Sequence, residues 1–140
     1  EDRQEKVIPI QVRQKARILI IDDEADVREL LRDILGDAGH EVDMAQSGGE
    51  GVEMFKKQPY DLVLTDLGMP AMSGWEVAEK IRCISKSVPI ALVTGWNVVL
   101  DDEAMQGSGI NLVVHKPFQV EQVLNLVKEG MVVKDRLMAM

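Results

Sequence analysis

The chain has 140 residues, 46% hydrophobic and 29% charged, the size and composition of one globular domain with a sizeable core and not of a disordered chain. Sixteen Lys and Arg stand against 24 Asp and Glu, a formal net charge of -8, which argues against nucleic acid or an anionic membrane as the main ligand, because phosphate binding needs a cationic footprint. A single cysteine, Cys83, excludes an internal disulfide framework and a cysteine-based zinc site, and no apolar run approaches the roughly 18 residues of a membrane span. With no signal-peptide pattern, the expected class is a soluble, cytoplasmic single domain; starting at Glu1 and not at Met, it reads as an excised piece of a longer polypeptide or a trimmed chain.

Up to Arg17 the chain carries five basic and three acidic residues, a proline and no sustained period. Residues 1–16 are therefore expected to be a linker or N-terminal arm, with a short strand at Val7 to Val12. From Ile18 a different rhythm begins. Ile18 to Ile21 is an aliphatic run suited to a strand buried on both faces. Val27, Leu30, Leu31, Ile34, Leu35 and Ala38 then fall on one helical face, with Gly36 and Gly39 where that helix should stop. A strand at Glu41 to Ala45, a helix at Gly49 to Lys57 and a strand at Asp61 to Thr65 follow. Next come a helix at Gly74 to Ile84 with Val77, Ile81 and Ile84 inward, and a strand at Pro89 to Thr94. A short helix at Asp101 to Gln106, a strand at Asn111 to Val114 and a helix at Gln119 to Glu129, with Val120, Val123, Leu124 and Val127 on one face, complete the domain. Residues 130–140 read as a frayed C-terminal tail.

Five strands alternating with five helices predict a doubly wound parallel α/β sheet. Ligands of such sheets bind outside the carboxyl ends of the strands. Those ends carry Asp22, Asp23 and Glu24 after the first strand, Asp66 after the third, Thr94 at the fourth and His115-Lys116-Pro117 at the fifth. Crowded carboxylates must recruit a cation or raise a pKa, and oxygen ligands with no His or Cys cluster suit Mg²⁺. An aspartate, a hard dication, an ammonium and a hydroxyl form a coherent set for phosphoryl transfer, with the aspartate attacking phosphorus and the others covering its equatorial oxygens. Taken singly these acids read as surface charges and helix caps; taken together they read as a site.

The blocks Ile21-Asp22-Asp23-Glu24, Asp66-Leu-Gly-Met-Pro70 with Met72 and Gly74, Val93-Thr94-Gly95 and Lys116-Pro117-Phe118 resemble the receiver domain of two-component response regulators, from about Arg17 to Glu129. The resemblance implies a flavodoxin-like (βα)5 fold with strand order 2-1-3-4-5. It also implies Asp66 as phosphoacceptor, Asp22 and Asp23 with the Gly68 backbone carbonyl as Mg²⁺ ligands alongside Asp66, Thr94 and Lys116 on the phosphoryl oxygens, and a cis Lys116-Pro117 bond. Such a domain catalyses its own phosphorylation and dephosphorylation and is an acceptor more than a turnover enzyme. Its partner would be a histidine kinase or a histidine phosphotransfer protein. The resemblance leaves room for a weak homodimer through the face of the fourth helix, fifth strand and fifth helix, and gives this domain no direct contact with nucleic acid or membrane. Asp66-Leu-Gly-Met-Pro70 and Gly74-Trp75-Glu76 also resemble receivers at the C-terminus of hybrid sensor histidine kinases.

One departure bears on function. The family places Tyr or Phe three residues before the lysine, and here that position is Val113, which motivates a rival reading as a phosphorylation-independent protein-interaction module. An aspartyl phosphatase that pairs its nucleophile with a second Asp two residues on would need that acid at position 68, which is Gly. Gly68 and Trp96 fall where the family tunes phosphoryl lifetime. His40 reads as a solvated loop residue, His115 as a bystander, Cys83 as a partly buried small apolar side chain, and Trp75 as packing near the loop after Asp66.

Overall fold

Ile18–Ile21, Leu62–Leu64 and Ile90–Val93 contain no polar side chain, so they avoid water only as strands covered on both faces. The computed structural model describes residues 15–95 and 102–139, and it places all three runs in one sheet. In chain order the elements are β1 (Arg17–Ile21), α1 (Ala25–Asp37), β2 (Glu41–Ala45), α2 (Gly48–Lys57), β3 (Leu62–Asp66), α3 (Gly74–Ile84), β4 (Ile90–Thr94), α4 (Asp102–Met105), β5 (Leu112–His115) and α5 (Val120–Met138). All strand pairs are parallel, in the order β2-β1-β3-β4-β5, as the resemblance implied. The expected strand at Val7 to Val12 and the residue Trp96 lie outside the described residues.

Side chains alternate across the sheet and build two cores. Leu19, Ile21, Val63 and Leu92 pack on one face with Val52, Phe55, Val77 and Ile81 of α2 and α3. Ile18, Ile20, Leu62, Leu64 and Val93 pack on the other with Leu31, Leu35, Val123, Leu126 and Val127 of α1 and α5. Ala16 is already part of the second core, so burial begins before β1 does. Local chemistry starts the helices where the pattern requires. Ser47 accepts from the Glu50 N–H at the start of α2, and Ser73 and Glu76 form a reciprocal capping box at α3.

Several expectations are corrected. The last helix does not stop at Glu129 but runs to Met138. Gly130 looks like a stop signal in the sequence, yet it is a close-approach residue, since a Cβ there would lie 3.1 Å from Leu62 Cδ1. Beyond it Met131 packs on the second core, and the Lys134 ammonium pairs with the Asp61 carboxylate. Leu30, Ile84 and Val120, assigned to inner faces, are 50%, 45% and 51% exposed; each lies at the margin of an apolar stripe whose centre is filled by neighbours such as Leu31, Ile81 and Val123. Leu126 is buried in place of Val120. Cys83 is exposed. His40 is half-buried, with Nδ1 accepting from the Ala16 N–H at 3.0 Å, and burial pushes its pKa down.

The loop leaving β3 turns sharply. Ala71 has a φ of 70°, and the Met72 N–H donates to the Pro70 carbonyl at 2.7 Å, a three-residue turn that costs roughly 1–3 kcal/mol for a residue with a Cβ. Gly74 then brings α3 against the end of β3, donating its N–H to the Leu67 carbonyl at 2.8 Å. A Cβ on Gly74 would stand 2.4 Å from the Asp66 carbonyl oxygen. Gly74→Ala is expected to destabilise by about 1–3 kcal/mol through overpacking, whereas Gly36→Ala, with nothing within 4 Å of the new methyl, should stabilise by about 0.5–1 kcal/mol. Urea denaturation of the two variants checks this; a Gly74→Ala protein as stable as the parent would contradict the close approach.

Candidate functional site

Parallel pairing in near-aligned register brings successive strand ends to one rim. Ile21 is level with Thr65, Asp66 with Val93, and Thr94 with His115. The residues after those positions therefore converge without any long-range design in the loops.

Asp22 leaves β1 with its N–H on the Ala45 carbonyl, and its side-chain Oδ1 accepts from the Glu24 N–H at 2.9 Å. Its own carbonyl is held by Arg28 Nη1 of α1 at 2.7 Å. Asp66 ends β3, and the Thr65 hydroxyl donates to its carbonyl. Asp22, Asp66 and Thr94 are buried, at 1%, 8% and 1% exposure. Asp23 is exposed, yet Asp22, Asp23 and Asp66 each offer one oxygen such that all three lie within 4.8 Å of one another. Lys116 reaches in from the end of β5. Its Nζ lies 3.2 Å from Asp22 Oδ2, 3.5 Å from Asp66 Oδ1 and 3.1 Å from Glu24 Oε1, while its N–H donates to the Thr94 carbonyl at 2.6 Å. The Lys116-Pro117 peptide is cis.

The structure thus gathers Asp22, Asp23, Asp66, Thr94 and Lys116 at one rim. Gly68 is exposed, with open space around its Cα. Val113 is half-buried against the first core. Trp75 is half-buried on α3 and lines a cleft with Glu79, Arg82, Gly107 and Ser108. Two site residues were missed in the sequence. Glu24 is visible only as the third acid of a run, and nothing in the helical spacing singles out Arg28; neither pattern signals that one pairs with Lys116 and the other braces the Asp22 backbone.

The response regulator receiver domain model matches residues 18–128. A response regulator receiver protein of Anaeromyxobacter is 38% identical over 112 residues, which cover 79% of this chain and 46% of that protein. The response regulator MprA of Mycolicibacterium vanbaalenii is 34% identical over 108 residues, 77% of this chain and 47% of its own. The chain thus spans about half the length of the curated relatives it matches. The crystal structure of a receiver domain from Clostridium thermocellum superposes with a TM-score of 0.80 at 27% identity, covering 87% of this chain and 98% of that one.

The electrostatics fit a hard dication. Burial raises the pKa of Asp22 against the opposing Glu24 N–H, and the Asp66 charge adds to the rise. Burial likewise raises Asp66, opposed by Lys116. Burial works against the Lys116 ammonium, but Asp22 and Asp66 outweigh it and hold its pKa above the ordinary lysine value. Two carboxylates held partly against their ionised forms beside a third are what oxygen-seeking Mg²⁺ would relieve. Because the folded-state pKa values of Asp22 and Asp66 are raised, the metal-free fold loses stability as pH climbs from the ordinary carboxylate range through those values. Asp66→Asn should therefore melt at a higher temperature than the parent at pH 7 without Mg²⁺, and the gap should close on acidification to the carboxylate range. Thermal unfolding followed by circular dichroism checks this; a lower melting temperature for Asp66→Asn at pH 7 would contradict it.

Proposed function

As this chain belongs to the response regulator receiver family, we propose that it is the phosphoacceptor of a two-component phosphorelay, with Asp66 taking the phosphoryl group from a phosphohistidine donor. The observation that carries the reading is a buried Asp66 carboxylate within 3.5 Å of the Lys116 ammonium and in one oxygen cluster with Asp22 and Asp23.

The chain's own residues divide the work. An Asp66 carboxylate oxygen attacks phosphorus, the P–N bond to the donor imidazole breaks, and the ring, already protonated on its other nitrogen, leaves with the electron pair as neutral imidazole. Lys116 neutralises one equatorial oxygen, and the Thr94 hydroxyl, anchored at the end of β4, donates to another. Asp22, Asp23, Asp66 and the Gly68 carbonyl would hold Mg²⁺, which supplies positive charge against the oxygens of the transferred group. Reversal is hydrolytic: water attacks phosphorus, the acyl O–P bond breaks, and inorganic phosphate leaves the regenerated carboxylate. The domain accepts from a histidine kinase or a phosphotransfer protein in the cytoplasm and controls an attached or partner module. The receiver unit, expected at residues 17–129, also takes in Ala16 and the extension of α5 to Met138, and the residues before it are proposed as an arm. Among the described residues no helix is long and apolar enough to cross a membrane.

Incubation with acetyl phosphate and Mg²⁺ tests the assignment. The parent should gain a hydroxylamine-sensitive phosphoryl group, and Asp66→Asn should lose at least about 90% of the label, since on this reading the carboxylate that ends β3 is the nucleophile. Equal labelling of Asp66→Asn would contradict the assignment. A parent that takes no label would favour the rival reading, a module indifferent to phosphate in which Val113 replaces the ring.

A further inference from the structure

A lysine ammonium has three N–H donors and no others. At Lys116 three carboxylates already face them: Glu24 at 3.1 Å, Asp22 at 3.2 Å and Asp66 at 3.5 Å. Before it can pair with a phosphoryl oxygen, one of the three must let go. They are not equivalent. The Asp22 side chain is 2% exposed, and its second oxygen is fixed by the Glu24 N–H. Asp66 is the reacting group itself. The Glu24 side chain is 62% exposed, so water can replace its ammonium partner at little cost, as for other exposed ion pairs.

Resting on the phosphoacceptor reading above, we propose that Glu24 is a positioning residue that clasps Lys116 in the resting state and competes with the phosphoryl group for its third N–H. Glu24 acts through Lys116 and does not touch phosphorus. Its backbone and side chain have separate tasks: the N–H orients Asp22, and the carboxylate parks the lysine at the acidic edge of the rim. Phosphorylation then exchanges a solvated ion pair for a buried one, and Glu24 sets how readily that exchange occurs.

Beryllofluoride, a phosphoryl mimic that binds carboxylates, provides the probe. Its affinity is measured by NMR titration at saturating Mg²⁺, so that altered metal affinity does not enter, for the parent, Glu24→Gln and Glu24→Ala. The same three are then measured in a Lys116→Met background. Glu24→Ala should bind beryllofluoride about two- to fivefold more tightly, the range an exposed ion pair supports. Glu24→Gln, which keeps an acceptor oxygen, should fall between. With Lys116→Met the Glu24→Ala gain should vanish. An unchanged affinity for Glu24→Ala would overturn the proposal, and so would an equal gain without Lys116, which would mark a field effect of the lost charge. A parent that binds Mg²⁺ but no beryllofluoride would overturn the phosphoacceptor reading and the clasp together, whereas a parent that binds with a flat Glu24 series overturns the clasp alone.

Discussion

Repulsion among three carboxylates is the constraint around which this molecule is arranged. Asp22, Asp23 and Asp66 bring oxygens within 4.8 Å of one another, and two of the three are buried. Desolvation and like charge both oppose that arrangement, and among the described residues Lys116 is the cation that the site's carboxylates share. The ammonium balances the cluster only in part. The charge left over is what a dication would offset, and on the phosphoacceptor reading that dication and Lys116 together would receive the phosphoryl group.

The sheet holds this unfavourable cluster in place through bonds from several elements. Asp22 is fixed through Ala45, Glu24 and Arg28, from β2, its own turn and α1. Asp66 is fixed through Thr65 and by the packing of Gly74 against its carbonyl. Thr94 and the Lys116 backbone are joined across β4 and β5. Beneath them two aliphatic cores, one on each face, supply the burial that offsets the local electrostatic cost. The far end of the molecule is braced separately, where Asp61 accepts from the Arg17 N–H and pairs with Lys134 of α5.

What could be read in the sequence follows from what a parallel sheet demands of it. Strands buried on both faces must be aliphatic runs, so β1, β3 and β4 stood out, and the residue ending each run had to lie at the ligand-binding rim. Asp22, Asp66 and Thr94 were therefore legible as a set, and Lys116 joined them from the end of β5. Features that depend on a single long-range contact were not. Gly130 reads as a helix stop until Leu62 is seen beside it, and His40 reads as a solvated loop residue until Ala16 is seen to donate to it. Glu24 is one acid in a run of acids, and only the approach of Lys116 from 92 residues away gives it a partner. Helix margins were the other weak point, because an apolar stripe can be found from spacing while its edges depend on how wide a face the sheet covers, as Leu30, Ile84 and Val120 illustrate.

The central claim is that the acid rim becomes a phosphoryl receptor once a dication relieves its repulsion. The direct measurement is an amide NMR spectrum of the protein, first with Mg²⁺ alone and then with beryllofluoride added. The account predicts that Mg²⁺ shifts resonances around Asp22, Asp23 and Asp66, and that beryllofluoride adds a second set reaching Thr94 and Lys116. A spectrum that Mg²⁺ leaves unchanged, or one that shifts with Mg²⁺ and then ignores beryllofluoride, would contradict it.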